Sequence, residues 1–457
     1  MTSFSELTLI EPLQRGLAAV DYAEMTPVQA ASLPAILAGR DVVAQAKTGS
    51  GKTAAFALGL LSALDATAVQ LQGLVLCPTR ELADQVSREI RRLARFVPNV
   101  KVLTLCGGVP LRPHLASLTH EPHIVVGTPG RLLELIERGA LPLAAVKVLV
   151  LDEADRMLDM GFADAIRDII DKTPQQRQTL LFSATIPDPI RTFSRQFQHE
   201  PLDVTVAGDA DEASIEQTFF EVSPDRKIDA LTALLLQYRP ESAVVFCNTR
   251  QDVRGVTQEL VDREFSVLAL HGELDQRERE EMLVRFANRS CSVLVASDVA
   301  ARGLDIQELP MVINFDIASD ADTHLHRIGR TGRAGRRGIA LSLCTPREIT
   351  RANVIEDRLG QPLHWGKLPA ANADEPLLAP FVTLVVDAGR QDKLRPGDLL
   401  GALTGDARLP GEAVGKIDVF PTRTYVAIAR KWHEKAMHSL RAGKIKGRTF
   451  RIRRISG

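Results

Sequence analysis

The chain has 457 residues, 45% of them hydrophobic and 25% charged, ordinary usage for folded domains and enough length for about three of them. No apolar run approaches the roughly 20 residues that span a bilayer, and the opening MTSFSELTLI has no basic stretch followed by an apolar one. A membrane-embedded reading is excluded on the first ground, no secretory signal is visible on the second, and a cytoplasmic chain is expected. Net charge is −1 but unevenly spread. Residues 381–457 hold 16 basic and 7 acidic side chains, so the preceding 380 carry a net −10. A basic terminal module on an acidic body points to nucleic acid, because phosphate contacts release counterions and give sequence-independent affinity.

In chain order, DVVAQA reads as a strand and TAAFALGLLSAL as a helix, with Ala46, Lys47, Thr48, Gly49, Ser50, Gly51, Lys52 and Thr53 between them. That strand–turn–helix setting is what a phosphate-binding loop needs: glycines admit the backbone N–H groups to the phosphates, and the helix N-terminus adds partial positive charge. Lys52 would reach the β- and γ-phosphates and the Thr53 hydroxyl would bind Mg²⁺. Ala46 stands where the usual pattern has its first glycine. GLVLCPT, HIVVGTP, KVLVLDE and TLLFSAT follow as buried strands, then SAVVFCN, FSVLALH, CSVLVAS and PMVINFD. Continuous apolar strands alternating with helices indicate parallel sheets covered on both faces. At the end of KVLVLDE, Asp152 is placed to hold Mg²⁺ through water and Glu153 to polarise an attacking water. ATP hydrolysis is the reaction these residues point to.

The series pauses at 207–214, which is small and acidic, and again at 361–380, which is rich in Pro and Ala. These linkers divide the chain into domains at 1–206, 215–360 and 381–457. The last reads βαββαβ, the order of an RNA-recognition motif, but its strand TYVAIA offers only Tyr425 where several aromatics normally stack bases. Basic residues such as Arg423, Lys444, Lys446 and Arg448 are therefore expected to bind RNA there, with Trp432 and Phe450 in the core. The five cysteines (Cys77, Cys106, Cys247, Cys291, Cys344) form no CxxC pair and read as small buried hydrophobes. No heptad run or dimerisation segment is visible, so a monomer is expected.

With PTREL (Pro78–Leu82), Gly107-Gly108, TPGRL (Thr128–Leu132), the tetrad Asp152-Glu153-Ala154-Asp155, Ser183-Ala184-Thr185, VVFCNTR, SDVAARGLDI and HRIGRTGR all in order, the chain resembles the DEAD-box RNA helicases. The resemblance implies an α/β architecture of two tandem RecA-like parallel-sheet domains followed by a small α+β module similar to an RNA-recognition motif. It implies that Gln29 reads adenine and Phe4 stacks on it, that Asp305 contacts the ribose, that Arg330 and Arg333 act as arginine fingers, and that His326 supports the Glu153–water network. It implies RNA-backbone contacts from Pro78, Thr79, Arg80, Gly107, Gly108, Thr128, Pro129, Gly130 and Arg131, and from Asn248, Thr249, Arg250, Gly272, Ser297, Asp298 and Gly303. Asp21 and Met25 replace the usual Gly and Pro of the adenine-reading motif, and Ser297 replaces a usual Thr with its hydroxyl kept. The terminal module resembles that of the DbpA subfamily at RPGDLLGALTGD. This implies a large-subunit ribosomal RNA hairpin as target and a place in 50S subunit assembly. A general RNA-remodelling helicase with an unselective tail, or an ATP-gated RNA clamp, fits the same motifs.

Overall fold

The computed structural model describes residues 3–46, 49–206, 215–301, 309–332, 337–369 and 377–455, which form two compact units. In the first, strands β1 (Val42–Gln45), β2 (Gly73–Leu76), β3 (Val102–Leu105), β4 (Ile124–Gly127), β5 (Val148–Asp152), β6 (Gln178–Ser183) and β7 (Leu202–Thr205) pair in parallel in the order β3-β4-β2-β5-β6-β1-β7. Alternate residues of one strand feed two different cores. Val148 and Val150 of β5 join the cluster of Phe56, Val86 and Phe182, whereas Leu149 and Leu151 join that of Leu135, Met157 and Ile169. Burying each such side chain contributes about 1.5–3 kcal/mol, which is why the run had to be apolar on both faces.

The second unit opens with a parallel sheet of β8 (Ile215–Glu221), β9 (Ala243–Cys247), β10 (Val267–Leu270), β11 (Val293–Ser297), β12 (Met311–Asn314) and β13 (Gly338–Cys344), in the order β10-β11-β9-β12-β13-β8. The stretch expected as a second linker is partly fixed to this sheet. Trp365 bridges to Phe219 of β8, the Gly366 N–H donates to the Phe219 carbonyl at 2.8 Å, and Leu377 enters the core. The first linker, 207–214, lies outside the described residues.

A four-stranded antiparallel sheet follows, from β14 (Phe381–Val386), β15 (Val414–Val419), β16 (Thr424–Ala429) and β17 (Ile452–Arg454), in the order β15-β16-β14-β17. One face packs Leu384, Val386, Val426 and Ile428 against Leu399, Leu403 and Leu440 of the module's helices, with Trp432 and Phe450 partly buried beside them. The other face carries Val385 and Tyr425, and they pack with Ile455 against Val284 of the helix Gln276–Ala287. Tyr425 is only 4% exposed. The surface on which an RNA-recognition motif usually stacks bases is thus a protein–protein seam, which explains its missing aromatics.

All five cysteines are free and buried, and burial pushes the thiols of Cys106 and Cys291 up to about 12 and of Cys344 to about 11. His324 is 1% exposed, with its ring 5.8 Å from that of Phe219 and Nε2 3.2 Å from Gln217 Oε1. Burial, with the Arg327 charge beside it, lowers its pKa from 6.5 to about 4. The unfolded chain binds this proton and the folded chain refuses it, so stability is full above pH 6.5 and falls as pH drops toward 4. Denaturation of wild type and His324→Phe between pH 7 and 4 is expected to show roughly 3 kcal/mol of additional acid loss in the wild type.

Candidate functional site

Parallel register aligns the chemistry at one edge of the first sheet. Gln45 pairs with Ser183 and Asp152 with Phe182, so the chain leaves β1, β5 and β6 at the same level. Gly51 begins the helix Lys52–Ser62 with φ +92°, and a Cβ there would lie 2.5 Å from Gln29 Nε2. Glycine is therefore required for conformation and for space. The Gln29 amide donates from Nε2 to the Gly51 carbonyl at 3.0 Å and accepts from the Thr26 N–H at 2.8 Å, tying its helix to the loop. Lys52, 5% exposed, donates from Nζ to the Ala46 carbonyl at 2.8 Å. Gly49 and Thr53 flank these groups, while Lys47 and Thr48 lie outside the described residues. Phe4 is 5% exposed, with its ring parallel to that of Tyr22 at 6.3 Å.

At the end of β5, burial raises Asp152 to about 7, opposed by the Lys52 charge and reinforced by Glu153. Asp152 Oδ1 and Ser50 Oγ are buried without a hydrogen-bond partner, as groups awaiting a ligand would be. Glu153 adopts φ +52°, a left-handed conformation that costs a non-glycine residue about 1–3 kcal/mol and persists where the surroundings impose it. Arg156 imposes part of it. Its Nη1 lies 3.0 Å from Glu153 Oε2, with both side chains buried, as a charge pair rather than an aligned hydrogen bond. Asp155 ties this strand end to β6: its Oδ2 accepts from the Thr185 N–H at 3.0 Å and hydroxyl at 3.1 Å, and its N–H donates to Ser183 Oγ at 3.2 Å. The Ala46 N–H donates to the Ser183 carbonyl at 2.9 Å. A continuous hydrogen-bonded path therefore runs from Lys52 through Ala46, Ser183 and Asp155 to Thr185.

Three further loops of this unit converge. The Gly107 N–H donates to Thr128 Oγ1 at 3.1 Å, and Arg131 donates from Nη2 to the Val109 carbonyl at 2.7 Å. A Cβ on Gly108, whose φ is +70°, would fall 1.3 Å from Arg80 Nη2, so the guanidinium occupies the place of the missing side chain. Thr79 caps the helix Arg80–Leu93 by accepting from the Leu82 N–H. Pro78 and Pro129 are buried beside them, and Gly130 is exposed.

In the second unit one arginine organises the corresponding loops. Arg327, 2% exposed, makes a two-pronged contact to Asp298 from Nε and Nη2, both at 2.7 Å, and donates to the Asp316 carbonyl and Asn248 Oδ1, also at 2.7 Å. Asn248, Asp298 and the turn at Asp316 are thus drawn together, with buried Ser297 preceding Asp298. Thr249 caps the helix Arg250–Asp262, and Arg250 pairs with Glu273 at 2.7 Å, next to Gly272. His326 is half-buried and Arg330 is 7% exposed, at the end of the helix Ala321–Ile328. Gly303, Asp305 and Arg333 lie outside the described residues. Among the described residues no three His, Cys, Asp or Glu side chains form a metal cage. In the module, Lys446 (φ +52°) and Gly447 (φ +76°) make a tight turn closed by the Ile445 and Arg448 backbones, with Lys444, Lys446 and Arg448 all exposed. Arg423 is apart from this turn, 3.8 Å from Asp387. Arg156, Asp155, Asp316 and Arg327 have no role assigned from sequence. Asp155 stands in the tetrad, Arg327 in HRIGRTGR and Asp316 at the end of PMVINFD, and for Asp155, Arg156 and Arg327 a charge on a buried helical face is the available signal.

Known families match in the same order. The model of the DEAD/DEAH box helicase matches residues 26–193, that of the helicase conserved C-terminal domain 226–335, and that of the DbpA RNA binding domain 383–454. The chain is 54% identical over 454 residues to the ATP-dependent RNA helicase DbpA of Escherichia coli K12, covering 99% of each. It is 44% identical over 357 residues to the DEAD-box ATP-dependent RNA helicase CshA of Bacillus cereus, covering 78% of this chain and 68% of that protein. A solved structure of Saccharomyces cerevisiae Dbp5 bound to RNA and ADP BeF3 is similar with a TM-score of 0.73 at 29% identity, over 80% of this chain and 96% of that one.

Because lysine cannot reproduce the Arg327 fork, Arg327→Lys leaves Asp298 and Asn248 underpartnered. The charge is kept and the lost hydrogen bonds are expected to cost about 1–3 kcal/mol, read as a lower denaturation midpoint of the second unit.

Proposed function

The chain belongs to the DEAD-box ATP-dependent RNA helicases and carries a DbpA-type RNA-binding domain, and from that premise we propose that it locally unwinds RNA in large ribosomal subunit assembly, directed by its terminal module to a hairpin of 23S ribosomal RNA. The reading includes helicase domains at 1–206 and 215–360, an RNA-binding domain at 381–457, a cytoplasmic location and a monomeric state. The observation that carries the catalytic part is the hydrogen-bonded path joining Lys52, Ser183, Asp155 and Thr185.

In the proposed mechanism, ATP draws Lys52 from the Ala46 carbonyl onto its phosphates, and Gln29, already in contact with the loop, holds adenine. Glu153, held in its unusual backbone conformation beside Arg156, orients the attacking water. Mg²⁺ would be held by Thr53 and, through water, by Asp152; the orphaned buried Asp152 Oδ1 fits that role, and the ion would supply positive charge beside the phosphates. Arg330, Arg333 and His326 complete the site when ATP and RNA are bound together, each raising affinity for the other by linkage. RNA lies along the loops organised by Arg80, Arg131 and Arg327, whose contacts to phosphate and 2′-OH position it without reading sequence.

Glu153→Gln is expected to abolish ATP turnover while leaving nucleotide affinity within a few-fold of wild type; unchanged turnover would sink the mechanism. Replacing Lys444, Lys446 and Arg448 together by Ala should weaken binding to a 23S hairpin fragment. It should also flatten its salt dependence, by about 0.7–0.9 in log–log slope per lost phosphate contact. RNA-free ATPase is expected to stay the same, and an unchanged slope would refute targeting by this turn.

A further inference from the structure

The seam between the second parallel sheet and the terminal module holds a partly open pocket of about 250 Å³. Three guanidinium groups line it: Arg285 from the helix Gln276–Ala287, and Arg430 and Arg454 from the module. Arg285 is 93% buried, and among the described residues its side chain has no hydrogen bond or ion pair. The neighbouring carboxylate, Glu281, is engaged instead by Arg453 at 3.7 Å. Arg430 donates to the Ala379 carbonyl at 2.8 Å, and Arg454 faces His433 at 3.3 Å. The one carboxylate among the lining residues, Glu264, is exposed. Hydroxyls of Ser290 and Thr383, 2.8 Å apart, complete the polar wall.

A buried cation with no direct ion pair or hydrogen bond costs several kcal/mol. Glu281, one turn earlier on the same helix, offsets part of this from a distance, while two more cations converge on the same space from across an interface. We propose that this cavity is a binding site for a phosphate-class oxyanion, either a backbone phosphate of bound RNA or free inorganic phosphate. Guanidinium forks suit a tetrahedral oxyanion, which presents several acceptors to several donors at once. The volume is small for a drug-sized ligand and ample for one phosphoryl group, since a cavity of about 150 Å³ already holds benzene. Burial pulls Arg285 and Arg430 below the usual guanidinium range; Cys291 and Glu281 oppose this at Arg285, and the Arg454 charge adds to it at both. Because Arg285 belongs to one side of the seam and Arg430 and Arg454 to the other, the anion would brace the module against the helicase domain. This role is separate from the exposed cationic turn at Lys444–Arg448.

The test is amide hydrogen exchange of the full-length protein, its nucleotide site filled with ADP, across the seam segments 284–291 and 379–383. Inorganic phosphate replacing chloride at equal ionic strength is compared with a hairpin RNA in chloride. Slower exchange with both places an RNA phosphate in the cavity; slower exchange with phosphate alone assigns it to the free anion. Both effects must vanish in Arg454→Gln, an exposed position safe for folding. Arg285→Met supplies an independent check: it should melt no lower than wild type in chloride, because it removes an unpaired buried charge, and should lose the stabilisation by phosphate. Unchanged exchange with either probe, or a variant that keeps the protection, overturns the proposal. RNA-stimulated ATPase measured on the same samples separates that result from a failure of the helicase reading.

Discussion

Everything in the first unit hangs on the pairing of β1, β5 and β6. Their shared register sets Gln45 beside Ser183 and Asp152 beside Phe182, which brings the phosphate loop, the carboxylate and Ser183 to one edge of the sheet. A slip of one residue would turn every side chain of a strand to the opposite face, exchanging the two apolar clusters that sandwich the sheet as well as misplacing the carboxylate. Packing and chemistry are therefore enforced by one constraint. That explains why the strands are apolar on both faces and why the reactive groups, themselves buried, begin where the strands end.

Buried polar contacts do the finer positioning. Glu153 with Arg156, Asp155 with Thr185, and Arg327 with Asp298 each fix the geometry of a loop that would otherwise sample many conformations. In a low-dielectric interior such networks are strong when complete and costly when one partner is lost. The unusual φ of Glu153 belongs to the same scheme: the surroundings hold a carboxylate in a conformation it would not choose alone.

Sequence pattern revealed the central strands, because they are continuous apolar runs, and the phosphate loop, because its glycines have no other use at that spacing. Edge strands were harder to see. In β3 and β7 only some residues are buried, so neither stands out as an apolar run. Arg327 and Arg156 were hidden for a different reason: a charge inside an amphipathic helix reads as a solvated face until the tertiary partner is known. The missing aromatics of the terminal sheet were visible in sequence, but their cause, coverage by Val284 and its helix, lies more than 90 residues upstream of the sheet. The stretch at 361–380 was read as a spacer from its composition, which carries no trace of the bridge from Trp365 to Phe219.

The burial of all five thiols has a practical consequence. Inaccessible cysteines with raised pKa values are poor nucleophiles, so the native chain is nearly silent toward maleimide-type reagents. A single surface cysteine placed in each unit would accept fluorophores or spin labels selectively, without first stripping natural cysteines from the β-strands and the cores they fill. The molecule thus arrives ready for distance measurements in solution.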